Sequence, residues 1–244
     1  MTRPSAPRLS QLYDGINSRG YGEAYCGALE QAENRFVAGK IERAMRELRL
    51  STKSPPRVLD VGCGTGEFLK SHHVAPEQYT GLDLSRLMVS EARQEFPKYA
   101  SRFRCTDFLN YDPLAKPDLI VALWGPFNYA GFYRSLRWSA KTLAKGGRLC
   151  AVVYSSDHEY RDKTLYPASV AQTLRDVPPV RRLEAELALL ELFQKKKSSV
   201  MPFSSRKMAN ATNVRHWLWT LDRFKLSVDY ARDSRYLWLE AQNT

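Results

Sequence analysis

The chain has 244 residues, of which 43% are hydrophobic and 26% charged, so it can fold around its own core without disulfide or metal staples. Lysine and arginine number 37 against 26 aspartate and glutamate, and this net charge of +11 favours anionic partners. The sequence lacks a secretory signal and any run of about 18 apolar residues, which argues against a membrane protein and predicts a cytoplasmic one.

Four cysteines are far apart and include no Cys-x-x-Cys pair, so we predict reduced, mostly buried thiols and no metal site. The first predicted element is a helix, because apolar residues recur at the spacing of one helix face between positions 21 and 50. Ser54-Pro55-Pro56 ends this pattern, since proline cannot continue a helix. We therefore predict a helical lid at residues 1–53, followed by the main domain at residues 54–244.

Runs typical of strands and of helices then alternate along the chain. The strand candidates are 57–61, 79–82, 103–105, 118–123 and 148–153, and the helix candidates between them are 67–72, 87–96 and 132–143. This order predicts an α/β fold with a mostly parallel sheet, because successive parallel strands are joined by right-handed helical crossovers.

The alternation breaks after residue 154. Residues 155–211 contain a polar stretch, a proline-rich breaker and a helix candidate at 183–193, which together predict a cap insertion after strand five. A helix at about 212–224 and strands at 225–230 and 235–241 are predicted to complete the sheet.

The most informative segment is residues 58–67, with the sequence VLDVGCGTGE. An apolar strand runs directly into a glycine loop that opens a helix, so backbone N–H groups can approach a ligand where a Cβ would collide. The G-x-G-x-G spacing differs from the G-x-G-x-x-G of dinucleotide folds. Asp83 ends the second strand candidate about twenty residues later, where a carboxylate can accept hydrogen bonds from both hydroxyls of a ribose.

These features closely resemble the Rossmann-like S-adenosylmethionine-dependent methyltransferases, well over residues 57–153 and more loosely over the final helix and strands. The resemblance implies a Rossmann-like, mostly parallel sheet of seven strands with helices on both faces. It also implies S-adenosylmethionine as cofactor and S-adenosylhomocysteine as product. Gly62 and Gly64 would line the methionine moiety, with Asp60 near its ammonium group and Leu123 at the same end of the cofactor.

The resemblance extends to the nucleoside end of the cofactor. Asp83 would hold the ribose, while Leu84 and Met88 would pack on the adenine. Asp107 would bond the adenine amino group, with Phe108 beside it. Because three separate elements match in the correct order, the resemblance predicts a complete cofactor site rather than an isolated glycine turn.

Acceptor-facing residues are expected beyond the carboxyl ends of strands four and five and in the N-terminal lid, since ligands of open α/β sheets bind there. The candidates are Tyr21, Tyr25, Trp124, Asn128, Tyr129 and His158. His158 is the best candidate for a general base because imidazole titrates near neutrality, and its alternative is a surface histidine beside Glu159. Trp124 has two equally good interpretations: its ring could stack on a planar acceptor, or it could simply cover the end of the sheet.

The leading hypothesis is an N- or O-methyltransferase of biosynthetic metabolism that acts on a small, planar acceptor, with an anionic group on that acceptor as an option. An RNA or protein methyltransferase, favoured by the net charge, and a non-catalytic cofactor-binding scaffold remain alternatives. Strand four ends in LWGPF and lacks the Asp/Asn-Pro-Pro-Tyr/Phe signature of base-amine methylation, and no RNA-binding module is visible. Nucleic acid is therefore the less favoured partner.

Overall fold

The computed structural model describes residues 28–154, 224–230 and 236–244. Helices in these ranges are α1 (Ala28–Thr52), α2 (Glu67–Ser71), α3 (Arg86–Glu95), α4 (Pro126–Ala130) and α5 (Phe132–Thr142). The strands are β1 (Val58–Val61), β2 (Tyr79–Asp83), β3 (Phe103–Cys105), β4 (Leu119–Ala122), β5 (Arg148–Tyr154), β6 (Phe224–Tyr230) and β7 (Tyr236–Asn243). No helix in these ranges is long and apolar enough to cross a membrane.

The described strands form one sheet in the order β3-β2-β1-β4-β5-β7-β6. Strands β1 to β5 run parallel, whereas β7 pairs antiparallel with both β5 and β6. The predicted Rossmann-like α/β class with a mostly parallel sheet is confirmed. The strand order reverses at β1, which lies between β2 and β4, and the carboxyl ends of the strands at such a reversal form the usual ligand crevice of open α/β sheets.

Two helical layers cover the two faces of this sheet. Along β5, Leu149, Ala151 and Val153 point into the core shared with α4 and α5, whereas Cys150 and Val152 point into the core shared with α1, α2 and α3. The alternation follows from the two-residue side-chain period of a strand. Because both faces are covered, the parallel strands are mostly apolar, and β4 is apolar and buried at every residue, as buried parallel sheets require.

Helix α1 belongs to the core of the domain. Its buried side chains recur at the spacing of one helix face: Val37, Ile41, Ala44, Met45 and Leu48. They pack on the same face of the sheet as Val58 and Val121. The described part of the predicted lid is therefore a structural layer, and the lid role of residues 1–53 stays a prediction, with Tyr21 and Tyr25 outside the described residues.

Three local differences from the expected elements have physical causes. Helix α4 was not expected, because its five residues begin at Pro126 after Gly125, a pair typical of loops, although proline also suits the first helical turn. Strand β6 begins at Phe224, so the helix predicted for about 212–224 does not include that residue. Among the described cysteines Cys105 is exposed, since it ends the edge strand β3.

An ion-pair network fastens α1 to strands β5 and β7. Glu240 on β7 is almost fully buried, and its carboxylate accepts hydrogen bonds from Arg148 on β5 at 2.7 Å and from Arg43 on α1 at 3.0 Å. Glu47 on α1 also pairs with Arg148. A buried carboxylate is stable only when its charge is compensated, so these arginines hold the helix and both strands in register.

The network predicts that removing the charge of Glu240 lowers the free energy of unfolding more than removing the charge of an exposed glutamate. Replacing Glu240 by Gln removes the charge shared by two arginines, and we expect a loss of about 1–3 kcal/mol in the free energy of unfolding, the usual range for charge-assisted hydrogen bonds. Urea denaturation followed by circular dichroism measures it. The matched control is Glu95→Gln, which removes an exposed partner of Lys70 and should change stability by less than about 0.5 kcal/mol. Equal losses in the two variants would contradict the role of the network.

Candidate cofactor site

Residues 62–66 form a loop between β1 and α2 in which all three glycines have positive φ, at 71° for Gly62, 52° for Gly64 and 93° for Gly66. The glycines have different reasons to lack a side chain. A Cβ on Gly62 would lie 2.4 Å from Pro126, and one on Gly66 would lie 2.7 Å from Phe96, so both are required by packing. A Cβ on Gly64 would meet nothing within 4 Å, so the space above this residue is open to a ligand.

Asp83, at the end of β2, is held in a fixed orientation beside this loop. Its Oδ2 accepts a hydrogen bond from the Gly64 N–H at 2.9 Å, and its Oδ1 accepts one from the Ser85 N–H at 2.8 Å. The Ser85 hydroxyl in turn caps α3 by accepting from the Met88 N–H at 3.2 Å. A carboxylate oxygen can accept more than one hydrogen bond, so Asp83 can bind hydroxyl groups while it keeps these backbone contacts.

The end of β3 lies next to Asp83. The Thr106 N–H donates to the carbonyl of Asp83 at 2.8 Å, and the following residue, Asp107, begins a short 3₁₀ turn by accepting from the Leu109 N–H at 2.9 Å. Phe108 is buried in the core. The structure therefore brings Gly64, Asp83 and Asp107 to one edge of the sheet through backbone contacts.

Three of the predicted acceptor residues follow β4, and their environments differ. Trp124 is half-buried and has a φ of 60°, a left-handed conformation that costs a bulky residue on the order of 1 kcal/mol or more. Leu123 and Trp124 pack against the core layer that contains α1. On α4, Tyr129 is half-buried and Asn128 is fully buried, so Asn128 has a packing position rather than an exposed one.

The buried pair formed by Asp60 and Tyr79 was not expected from the sequence. Asp60 is 3% exposed, and the Tyr79 hydroxyl donates a hydrogen bond to its Oδ2 at 2.8 Å. Burial raises the pKa of Asp60 to about 7; the Tyr79 hydrogen bond opposes this rise, and the charge of Asp83 adds to it. The available signal was strand register: Asp60 pairs with Gly81, so Tyr79, two residues earlier, shares its face of the sheet.

The remaining predicted site residues divide into two groups. Leu84 is half-buried at the start of the turn into α3, and Met88 is buried on the first turn of that helix, both immediately after Asp83. His158 and the cap insertion at residues 155–211 lie outside the described residues. The cofactor side of the predicted site is therefore described in full, and its acceptor side in part.

Known proteins are similar to parts of this chain. Residues 58–147 match a family model described as a methyltransferase domain. A demethylmenaquinone methyltransferase of Bacteroides fragilis is 28% identical over 182 residues, which cover 68% of this chain and 69% of that relative. A trans-aconitate 2-methyltransferase of Methylobacterium nodulans is 36% identical over 118 residues, which cover 45% of this chain and 42% of that relative.

Similarity to solved structures extends over the whole chain. The magnesium protoporphyrin IX methyltransferase of Synechocystis, solved with bound S-adenosylmethionine, has a TM-score of 0.59 at 14% identity, with 100% of this chain and 99% of that chain covered. The family match begins at the first residue of β1 and includes the glycine loop, Asp83 and Asp107. Residues 58–147 therefore match a methyltransferase domain, and the chain shares the Rossmann-like fold of such enzymes.

Proposed function

We propose that this methyltransferase methylates a nitrogen or oxygen atom of a small, planar metabolite. The observation that carries the proposal is the sequence similarity to curated enzymes named for demethylmenaquinone and trans-aconitate, both of them small molecules. Trans-aconitate is also an anion, which agrees with the net charge of +11 and with an acidic group on the acceptor.

The proposed cofactor site follows the carboxyl edge of β1, β2 and β3. Gly62, Gly64 and Leu123 would line the methionine moiety, with Asp60 facing its ammonium group. The open space above Gly64 supports this assignment, because a ligand can approach the backbone there without a collision. Asp60 is a buried carboxylic acid one residue before the end of β1, so its charged form could pair with an ammonium held by the loop.

The nucleoside end would lie over β2 and β3. Asp83 would bind the ribose hydroxyls, and its two backbone hydrogen bonds support this role because they hold the carboxylate before the ligand arrives. Leu84 and Met88 would pack on the adenine. Asp107 would accept from the adenine amino group, with Phe108 beside it.

When bound, S-adenosylmethionine supplies a methyl group on a positively charged sulfur, which is already a strong electrophile. The chain's own residues then have two tasks, to hold the acceptor atom in line and to exclude water. Positioning of this kind can contribute an effective concentration on the order of 10⁵ M or more. We assign these tasks to Tyr21, Tyr25, Trp124 and Tyr129, and Asn128 would act by supporting them from within α4.

The acceptor would be selected by the cap insertion at residues 155–211. Its predicted apolar helix would exclude water, and its arginines would orient an acidic group: Arg161, Arg181, Arg182 and Arg206. His158 would serve as general base for an acceptor that is protonated until attack.

The first prediction here concerns Gly64. Gly64→Ala should weaken binding of S-adenosylhomocysteine at least tenfold in calorimetry, because the new Cβ occupies the space assigned to the ligand. The matched control is Gly146→Ala. Gly146 also has a positive φ, 78°, with nothing within 4 Å of a Cβ, and it lies before β5, at the opposite edge of the sheet. Both variants should lose about 1–2 kcal/mol of stability from the left-handed conformation, but only Gly64→Ala should lose affinity.

Asp83→Ala should weaken the same ligand by about 1.5–3 kcal/mol through loss of hydrogen bonds to the ribose. Nicotinamide dinucleotides should bind neither the wild type nor Asp83→Ala, since the glycine spacing of this loop differs from that of dinucleotide-binding loops. Wild-type affinity in both Gly64→Ala and Asp83→Ala would show that the ligand binds elsewhere.

The second prediction concerns the aromatic residues near the acceptor. Tyr21→Ala, Tyr25→Ala and Trp124→Ala should each lower turnover while leaving the affinity for S-adenosylhomocysteine within about threefold, because they align the acceptor rather than the cofactor. Trp124→Phe should retain more turnover than Trp124→Ala. A loss of turnover in His158→Ala that is recovered at higher pH would support its role as a base. Wild-type turnover in all three alanine variants would refute this acceptor assignment.

The third prediction separates the small-molecule proposal from RNA methylation, which the net charge of +11 favours. Incubation with S-adenosylmethionine carrying a labelled methyl group should label a component of a fractionated metabolite extract. Total RNA should stay unlabelled at every salt concentration tested. Labelling of RNA alone, with a steep loss of affinity as salt displaces phosphate contacts, would establish the second function instead.

A further inference from the structure

We infer that Tyr79 is a positioning residue of the cofactor site, whose buried hydroxyl orients the Asp60 carboxylate under the glycine loop and favours its charged form, so that cofactor affinity depends on pH. This inference rests on the proposed placement of the cofactor's ammonium group near Asp60. It concerns how the chain prepares that carboxylate rather than which ligand it meets.

The packing around Tyr79 restricts its hydroxyl to a position beside the Asp60 carboxylate. Its ring is fully buried, stacked on Phe68 at 6.0 Å between centroids and edge-on to Phe103 at 5.6 Å. The hydroxyl is directed to Asp60 Oδ2 at 2.8 Å. A Cβ on Gly81 would lie 2.9 Å from that hydroxyl oxygen, so the hydroxyl occupies the space over this glycine.

Packing therefore fixes the donor before any ligand arrives. Phe68, Tyr99 and Phe103 pack against the tyrosine ring, and a ring held in this way cannot move its hydroxyl oxygen away from the carboxylate without opening the core. Asp60 is the penultimate residue of β1, and the loop at residues 62–66 begins directly after that strand ends. A carboxylate held there lies at the base of the proposed binding site for the methionine moiety.

The titratable groups that act on Asp60 are few. Tyr79 stabilises its charged form by hydrogen bonding, whereas burial and the negative charge of Asp83 oppose that form. The thiol of Cys63 is also buried beside it, and the two carboxylates help to raise the pKa of that thiol, which therefore stays neutral. The pKa of Tyr79 is likewise raised by burial and by Asp60, so Tyr79 remains a donor.

These effects predict the sign of the pH dependence. With a pKa of about 7 in the free protein, Asp60 is a mixture of charged and neutral forms near neutrality. A bound ammonium favours the charged form and lowers this pKa, so binding should release a proton near pH 7. Affinity should be constant above pH 7 and should fall below it by up to about tenfold per pH unit.

The experiment is calorimetric titration of the protein with S-adenosylhomocysteine between about pH 5.5 and 8, in pairs of buffers with different ionisation enthalpies. Tyr79→Phe keeps the ring in its aromatic packing but removes the donor. Asp60 should then become harder to ionise, so the pH at which affinity begins to fall should rise by at least about half a unit, which weakens binding about threefold or more at pH 6.5. Asp60→Asn should abolish both the proton release and the pH dependence below 7.

Tyr99→Phe is the matched control. Tyr99 is edge-on to Tyr79 at 5.8 Å in the same cluster, but its hydroxyl donates to the carbonyl of Val74 and not to Asp60. This variant loses one hydrogen-bonded tyrosine hydroxyl, as Tyr79→Phe does, although Tyr99 is only partly buried. It should nevertheless keep the wild-type pH profile.

The outcomes are distinct. Coincident pH profiles for wild type, Tyr79→Phe and Tyr99→Phe would overturn the inference, and so would a pH dependence that persists in Asp60→Asn. Should Tyr79→Phe not fold, the absence of proton release by the wild type, or proton release that persists in Asp60→Asn, would still overturn the inference. Weakened binding in Gly64→Ala and Asp83→Ala together with an unmoved Tyr79→Phe profile refutes this inference alone. Full affinity in those two variants refutes the proposed cofactor placement as well.

Discussion

The candidate cofactor site depends on the hydrogen bond between the Gly64 N–H and the Asp83 carboxylate, because this bond joins the loop after β1 to the end of β2. Gly62 and Cys63 reinforce this link by donating to the carbonyl of Leu82 at 2.7 and 3.0 Å. The loop thus folds over the neighbouring strand before a cofactor binds. A site whose polar groups are already oriented loses less conformational entropy when it takes up its ligand.

That arrangement places two carboxylates at the ends of adjacent strands, and one of them is almost wholly removed from water. Raising the pKa of Asp60 from 3.8 to about 7 corresponds to an unfavourable free energy on the order of 4 kcal/mol for the charged form. Because the pKa is raised on folding, this term is absent at low pH and grows as pH rises from about 4 to 7. A cationic ligand offsets it, so the bound protein is relieved of a cost that the free protein carries.

Most of the fold could be predicted from the sequence because its signals are local. The strand at 103–105 has the predicted bounds, and the glycine loop follows its strand as expected. Contacts between distant segments leave no local signal. Glu240 lies 92 residues from Arg148 and 197 from Arg43, and its place in an apolar strand gives no hint of either partner.

The candidate site also contains residues with a local sequence signal and residues that depend on contacts between separate strands. Asp83 could be predicted from its distance along the chain to the glycines, but the hydroxyl of Tyr79 could not, since it depends on how β1 and β2 pair. The polarity of Asn128 indicates an exposed residue, whereas tertiary packing buries it on α4. Sequence patterns indicate candidate ligand-facing residues more readily than the residues that hold those candidates in place.

The contact between Gly62 and Pro126 has a consequence for the order of events in a catalytic cycle. The proline ring lies so close to the glycine that no further atom fits between them, and Pro126 is the first residue of α4, directly after Trp124 and Gly125. A displacement of the loop is therefore transmitted to the segment proposed to meet the acceptor. If the two ligands bind at these two places, their affinities are coupled, and thermodynamic linkage requires each to change the other by the same factor. Such coupling would let the enzyme reject the acceptor until the methyl donor is in place.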